Sequence, residues 1–193
     1  PGLDRLLPRN GQIHIRRAVQ AYVWDNGQMR PIIGLAGTPA GLLAQAGVAL
    51  GEHDRLLWNG QPVALSDTMP PGQALILQIE RAQPVQVISN GQERMVYSHG
   101  PGVARALWDA GVKIGPGDWL PVDPDAPLQA GMTLGHESAR RLAIQVGDQQ
   151  LVTWSAARTT GAALAGAGVA LAGGDYSLPA EDQPLPEDGK VQV

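Results

Sequence analysis

The chain has 193 residues, with 14 Lys and Arg against 18 Asp and Glu, so at net −4 it offers no basic stripe for nucleic acid. Cysteine is absent, which excludes disulfides, thiol nucleophiles and thiolate-ligated zinc. No apolar run approaches the roughly 18 residues of a membrane span.

Two lysines, Lys113 and Lys190, stand against twelve arginines, and Ala, Gly and Pro abound, a composition expected of a GC-rich bacterial genome. Pro1 is not an initiator Met, so the start of the gene product, with any export signal, is expected upstream. Residues 1–18 read as the closing part of a preceding repeat. Asp4-Arg5-Leu6-Leu7 repeats at Asp54-Arg55-Leu56-Leu57, and Ile13–Ala18 lies 64 residues ahead of Leu77–Ala82.

The first full unit opens at Val19. Ala21 and Val23 alternate with Tyr22 and Trp24, and Asn26-Gly27 then predicts a hairpin through a type I′ turn. Asn90-Gly91 repeats that signal 64 residues on, and Gly147-Asp148 a further 57. The returning strands are 28–34, 92–97 and 149–154. Ile33, Tyr97 and Trp154 are equivalent positions in them and are expected to face a core, as is Trp24.

A short helix follows, with Thr38 as N-cap and Pro39 at its first position. Leu42, Leu43 and Ala46 share a face, repeated by Ala106, Leu107 and Ala110 and by Ala163, Leu164 and Ala167. Gly47, Gly111 and Gly168, spaced by 64 and 57 residues, are expected to end each helix in the left-handed conformation. Val48, Val112 and Val169 then fold back on the last turn. Asp54, Asp118 and Asp175 follow each glycine by seven residues and suit a turn, accepting local backbone N–H bonds.

Each unit then runs through Pro- and Gly-rich turns to a closing strand. The first turn is Met69-Pro70-Pro71-Gly72, and the first unit also inserts Trp58–Pro62, read as a small extra hairpin. Between Gln73 and Ser89 Pro84 is the only expected interruption, and a continuous strand there would span on the order of 55 Å. These readings divide the chain into a remnant at 1–18 and repeats at 19–82, 83–140 and 141–193.

Strand, hairpin, strand, helix, crossover and closing strand is the element order of a β-grasp domain. The fold class is therefore α+β, as tandem ubiquitin-like β-grasp repeats joined by nearly continuous strands into an elongated array. The Ile-x-Ile-x-Arg-Ala strand, the Thr-capped helix, Ala-Gly-Val, Gly-x-x-Asp and the Gly-led last strand resemble one family. It is the tandem ubiquitin-like domain of unknown function in secreted bacterial cell-wall proteins, such as resuscitation-promoting factors. The resemblance covers nearly the whole chain, best over Ile13–Ile79. It implies an extracellular or cell-envelope setting, peptidoglycan or other wall glycan as partner, and adjacent domains in a longer polypeptide.

Catalytic signals are weak. His14, His53, His99 and His136 occupy non-equivalent positions, and His136-Glu137 lacks the second His of a zinc-protease motif because Arg140 stands there. Ser98 and His99, adjacent on a strand, point to opposite faces and cannot share a proton. Gly161–Gly168 has no Lys-Ser/Thr after it and reads as an Ala-rich helix; Glu181, Asp182, Glu187 and Asp188 read as a solvated turn. No metal or cofactor is expected. The candidates for binding are three aromatics: Trp58 in the insertion, Trp108 beside the Leu face of its helix, and Trp119 at the place of Arg55 and Tyr176. The expected role is a non-enzymatic spacer and adhesion element; the alternative is a β-grasp binder of a soluble ligand or a periplasmic export component.

Overall fold

The computed structural model describes residues 18–34, 37–69 and 75–193. The expected remnant, but for Ala18, lies outside them, as do most of the first closing turn and the start of its strand at Gln73. The fold is α+β. It forms two compact units, Pro1–Arg81 and Ala82–Val193.

In the first unit β1 (Val19–Asp25) and β2 (Gln28–Gly34) form the expected hairpin, with Asn26 and Gly27 both at positive φ. Helix α1 (Pro39–Ala46) follows, then β3 (Arg55–Trp58), β4 (Gln61–Pro62) and β5 (Leu75–Glu80). The sheet order is β2-β1-β5-β3-β4, and β5 runs parallel to β1, so first and last strands are central neighbours. The insertion folds as expected: Asn59 and Gly60 turn at positive φ and Trp58 pairs with Gln61.

The second unit carries the same plan twice. In one copy β6 (Gln83–Ser89), β7 (Gln92–Ser98), α2 (Val103–Asp109) and β8 (Thr133–His136) give the order β7-β6-β8. In the other, β9 (Arg140–Val146), β10 (Gln149–Ser155), α3 (Thr160–Gly166) and β11 (Lys190–Gln192) give β10-β9-β11. The closing strand again runs parallel to the first in both. Its hairpin at Gly147 differs, since Gly147 alone has positive φ, as a type II′ turn requires.

Helix ends follow the local chemistry. Thr38 accepts from Gly41 N and Thr159 from Ala162 N, while Gly102 begins α2 without a side-chain cap. Gly47, Gly111 and Gly168 all have positive φ. The N–H groups of Val48, Val112 and Val169 return to the carbonyls of Leu43, Leu107 and Leu164, the bond that closes a Schellman turn. Helices of eight and seven residues cannot stand alone. Each is held by its own core: Ala21, Val23, Leu42, Leu43 and Leu77; then Val85, Val87, Ala106, Leu107 and Leu134; then Leu142, Ile144, Ala163, Leu164 and Val191.

Five expectations about the strands are corrected. Ile33, Tyr97, Trp154 and Trp24 are not in a core; Ile33 is 78% exposed and Trp154 49%. Residues paired across a hairpin share a face, and the buried column runs through Ala21 and its partner Ile32, which puts Ile33 and Trp24 on the opposite face. The space between a short helix and its sheet takes Ala, Val and Leu, and the bulkier rings stand outside. Pro84 does not interrupt the chain between units either, because it lies within β6; the break falls at residues 81–82.

Candidate functional site

The recurring aspartates hold the turn after each helix. Asp54, Asp118 and Asp175 accept from the N–H three residues back, Gly51 at 2.8 Å, Gly115 at 2.7 Å and Ala172 at 3.0 Å. The bond is short-range, which is why the spacing in the chain announces it. Beyond it the three repeats part company.

In the first repeat Arg81, just past β5, closes on two carboxylates. Its Nε and Nη2 donate to the two oxygens of Asp25 at 2.8 and 2.7 Å, and Nη1 donates to Asp54 at 2.6 Å and to the carbonyl of Ala49 at 2.9 Å. The planar fork of a guanidinium suits this bidentate grip. Asp25 and Asp54 are largely buried, at 12% and 9% side-chain exposure. The hydrogen bond from Arg81 holds the Asp25 carboxyl below its ordinary range against the opposing effect of burial, and the two carboxylates push the Arg81 guanidinium further up.

In the second repeat the same places carry a different set. Parallel register puts His136 opposite Ser89, as Ile79 stands opposite Asp25, so His136 occupies the position of a core isoleucine. It is buried, with Nε2 at 3.0 Å from Asp118 and Nδ1 at 2.9 Å from Ser89 Oγ. Asp118 also accepts from Ala139 N at 2.6 Å. Burial alone would raise the Asp118 carboxyl, but the N–H groups of Ala139 and Gly115, and then His136, outweigh it and hold the group below its ordinary range. Both ring nitrogens thus have a polar partner, a carboxylate at Nε2 and a hydroxyl at Nδ1.

Serine, imidazole and carboxylate in this order resemble a nucleophilic triad. The first repeat shows what the set shares across copies. There Asp25, Arg81 and Asp54 join the same three segments, namely the end of the first strand, the Asp turn and the end of the closing strand. The common chemistry is a polar clip that pins the closing strand to the turn. In the third repeat Asp175 is exposed and, among the described residues, keeps the turn bond alone.

Beside His136 lies a pocket of about 340 Å³, bounded by Ser89, Arg94, Lys113 and Ser138. Arg94 donates to the last-turn carbonyl of Ala110 at 2.6 Å, and Asn90 exchanges two hydrogen bonds with Ser138. A second hollow, of about 410 Å³, lies between the second and third repeats, lined by Trp119, Glu137, Ala156, Ala157 and Arg158. Arg158 and Glu137 approach to 3.3 Å across it. At the same junction Trp154 packs on Gly117; a Cβ there would sit 2.6 Å from the Trp154 carbonyl oxygen.

The three tryptophan candidates fall in separate places. Trp119, 53% exposed, bridges to Glu137 and walls the junction hollow, while Trp108 stands 63% exposed on α2. Trp58 is not an exposed ring: it packs against the first core, with its Nε1 enclosed and without a hydrogen-bond partner. Trp154, expected inside, is instead the aromatic that touches a neighbouring repeat. Ser98 is buried and donates to Asp109 at 2.8 Å, bracing the end of β7 against the last residue of α2. Ser89 and Arg94 carry no local sequence signal, Arg81 shows only as the Arg of the Ile-x-Ile-x-Arg-Ala strand, and His136 stands at a position the other histidines do not share. The signal for them was a set of differing letters around an unvarying Asp, which needs the strand register to interpret.

No curated protein matches the chain. The model of the G5-linked-Ubiquitin-like domain matches residues 23–57, 85–119 and 142–180, more than half of the sequence and once within each of the three sheet-and-helix units. The chain therefore belongs to the G5-linked-Ubiquitin-like domain family, in three tandem copies.

Proposed function

We propose that the chain is a non-catalytic repeat module of a secreted, cell-wall-associated bacterial protein, serving as a semi-rigid spacer that also adheres to wall glycan. Three observations support the spacer. Each repeat has its own core, only two residues separate β5 from β6, and the second and third repeats lock through Gly117 and Trp154. The observation that carries adhesion is Trp119, an indole half open to solvent in a hollow rimmed by the Arg158–Glu137 pair. An apolar ring face flanked by charged hydrogen-bonding groups suits a sugar ring.

The test is retention on purified peptidoglycan. Wild type should be retained, Trp119→Ala retained at least about fivefold less, and Trp108→Ala less affected because its ring lies outside that hollow. Unchanged retention of Trp119→Ala would remove the hollow from the account. The second reading, a binder of a soluble ligand or a periplasmic export component, draws on the same hollow. A thermal-shift screen addresses it, since a bound small molecule must raise Tm by linkage.

A further inference from the structure

We infer that the pocket beside His136 in the second repeat binds a small oxyanion, the phosphate or carboxylate group of a polar ligand. The inference comes from laying the second repeat over the first by strand register. Ser89 stands where Asp25 does, Ser138 where Arg81 does, and Lys113 where Ala49 does. In the first repeat the Arg81 guanidinium fills the space between Asp25, Asp54 and the carbonyl of Ala49. The second repeat has no such plug. Among the described residues the His136 ring bonds only to Asp118 and Ser89, and beside it lies the pocket of about 340 Å³. That is enough for a small polar molecule.

The charge of the lining has changed with the shape. Where the first repeat presents Asp25, the second presents a serine hydroxyl, and Arg94 and Lys113 are the charged side chains at the wall. Asp118 is closed off behind His136 by bonds to that ring, Gly115 and Ala139. Arg94 spends one N–H on Ala110, leaving the rest of its fork. Ser138 Oγ accepts from Asn90 at 3.0 Å, so its own proton is available to a ligand. Two cations, a hydroxyl and no lining carboxylate make a site for negative charge. The first repeat satisfies the same place internally.

The experiment is an NMR titration of the isotope-labelled chain with inorganic phosphate and, separately, acetate, at constant ionic strength. Saturable shifts are expected at Asn90, Gly111, Lys113 and Ser138, with a millimolar dissociation constant. Saturation by only one anion identifies the group recognised. Lys113→Ala, an exposed residue, should weaken binding at least about fivefold. The double variant Ser89→Asp with Ser138→Arg rebuilds the first repeat's plug and should abolish it, while the remaining spectrum reports that the fold is intact. Absence of saturable shifts with both anions, or shifts that persist unchanged in either variant, would overturn the inference.

Discussion

The first and second repeats solve one structural problem with opposite chemistry. Both must pin the end of a closing strand to the Asp turn beyond the helix. The first uses Arg81 between two largely buried carboxylates, a charged clip in which one guanidinium is shared by both anions. The second uses a buried imidazole between Asp118 and a serine, and leaves a cation-walled pocket at its side. A clip built on a guanidinium is stiff and full. One built on histidine is smaller and leaves room. The third repeat does without, since Val146 and Val193 stand at the places of Ser89 and His136. Repeats built on one strand-hairpin-helix plan thus differ, at this end of the sheet, in which groups close the turn and how much space those groups leave.

Breaking the first clip should have the largest effect. Arg81→Ala strands Asp25 and Asp54 without their cation, and a loss of roughly 2–4 kcal/mol is expected. Residue-resolved hydrogen exchange would show it as lost protection in β1 and β5. The clip also sets an acid dependence. Asp25 has a folded pKa below its ordinary value of 3.8, so its contribution is present above that pH and is lost as pH falls through the folded pKa. Arg81→Ala should flatten the loss that sets in as pH falls below about 4, read by urea denaturation at each pH.

Next comes the junction of the second and third repeats. Gly117→Ala meets both a positive φ and the Trp154 backbone, and should cost about 2 kcal/mol. Exchange should rise around Gly117 and Trp154 while the core of β9 stays protected. Replacing His136 by the isoleucine of the equivalent place in the first repeat should cost less, about 1 kcal/mol, because Asp118 keeps two backbone N–H partners and Ser89 faces the pocket. Chemical denaturation of His136→Ile checks this. A loss as large as that of Arg81→Ala would make the two clips energetically alike.

What was legible in the chain is what is bonded locally. The Asn-Gly turns, the Thr38 cap, the glycine stops and the three aspartate turns depend on groups within about four residues, and each formed as expected. Face assignment failed at Trp24, Ile33, Tyr97 and Trp154. Alternation defines two faces of a strand without saying which meets the helix, and the larger rings misled the choice. Trp58 failed for a related reason, since an inserted hairpin can fold its ring back on the core. The clips were not legible because Asp25 and Arg81 are 56 residues apart and Ser89 and His136 47. Only the parallel pairing of first and last strands brings them together.

The central claim, one turn closed by different partners, is tested most directly by removing the recurring aspartate from each repeat in turn. Asp54→Ala, Asp118→Ala and Asp175→Ala should be compared by residue-resolved hydrogen exchange in the closing strand of the altered repeat. The account predicts large losses for Asp54 and Asp118, which carry the clips, and a loss of about 1 kcal/mol or less for Asp175, which keeps the turn bond alone. Equal losses in all three repeats would contradict it, because the turn bond would then be the whole of what the aspartate does.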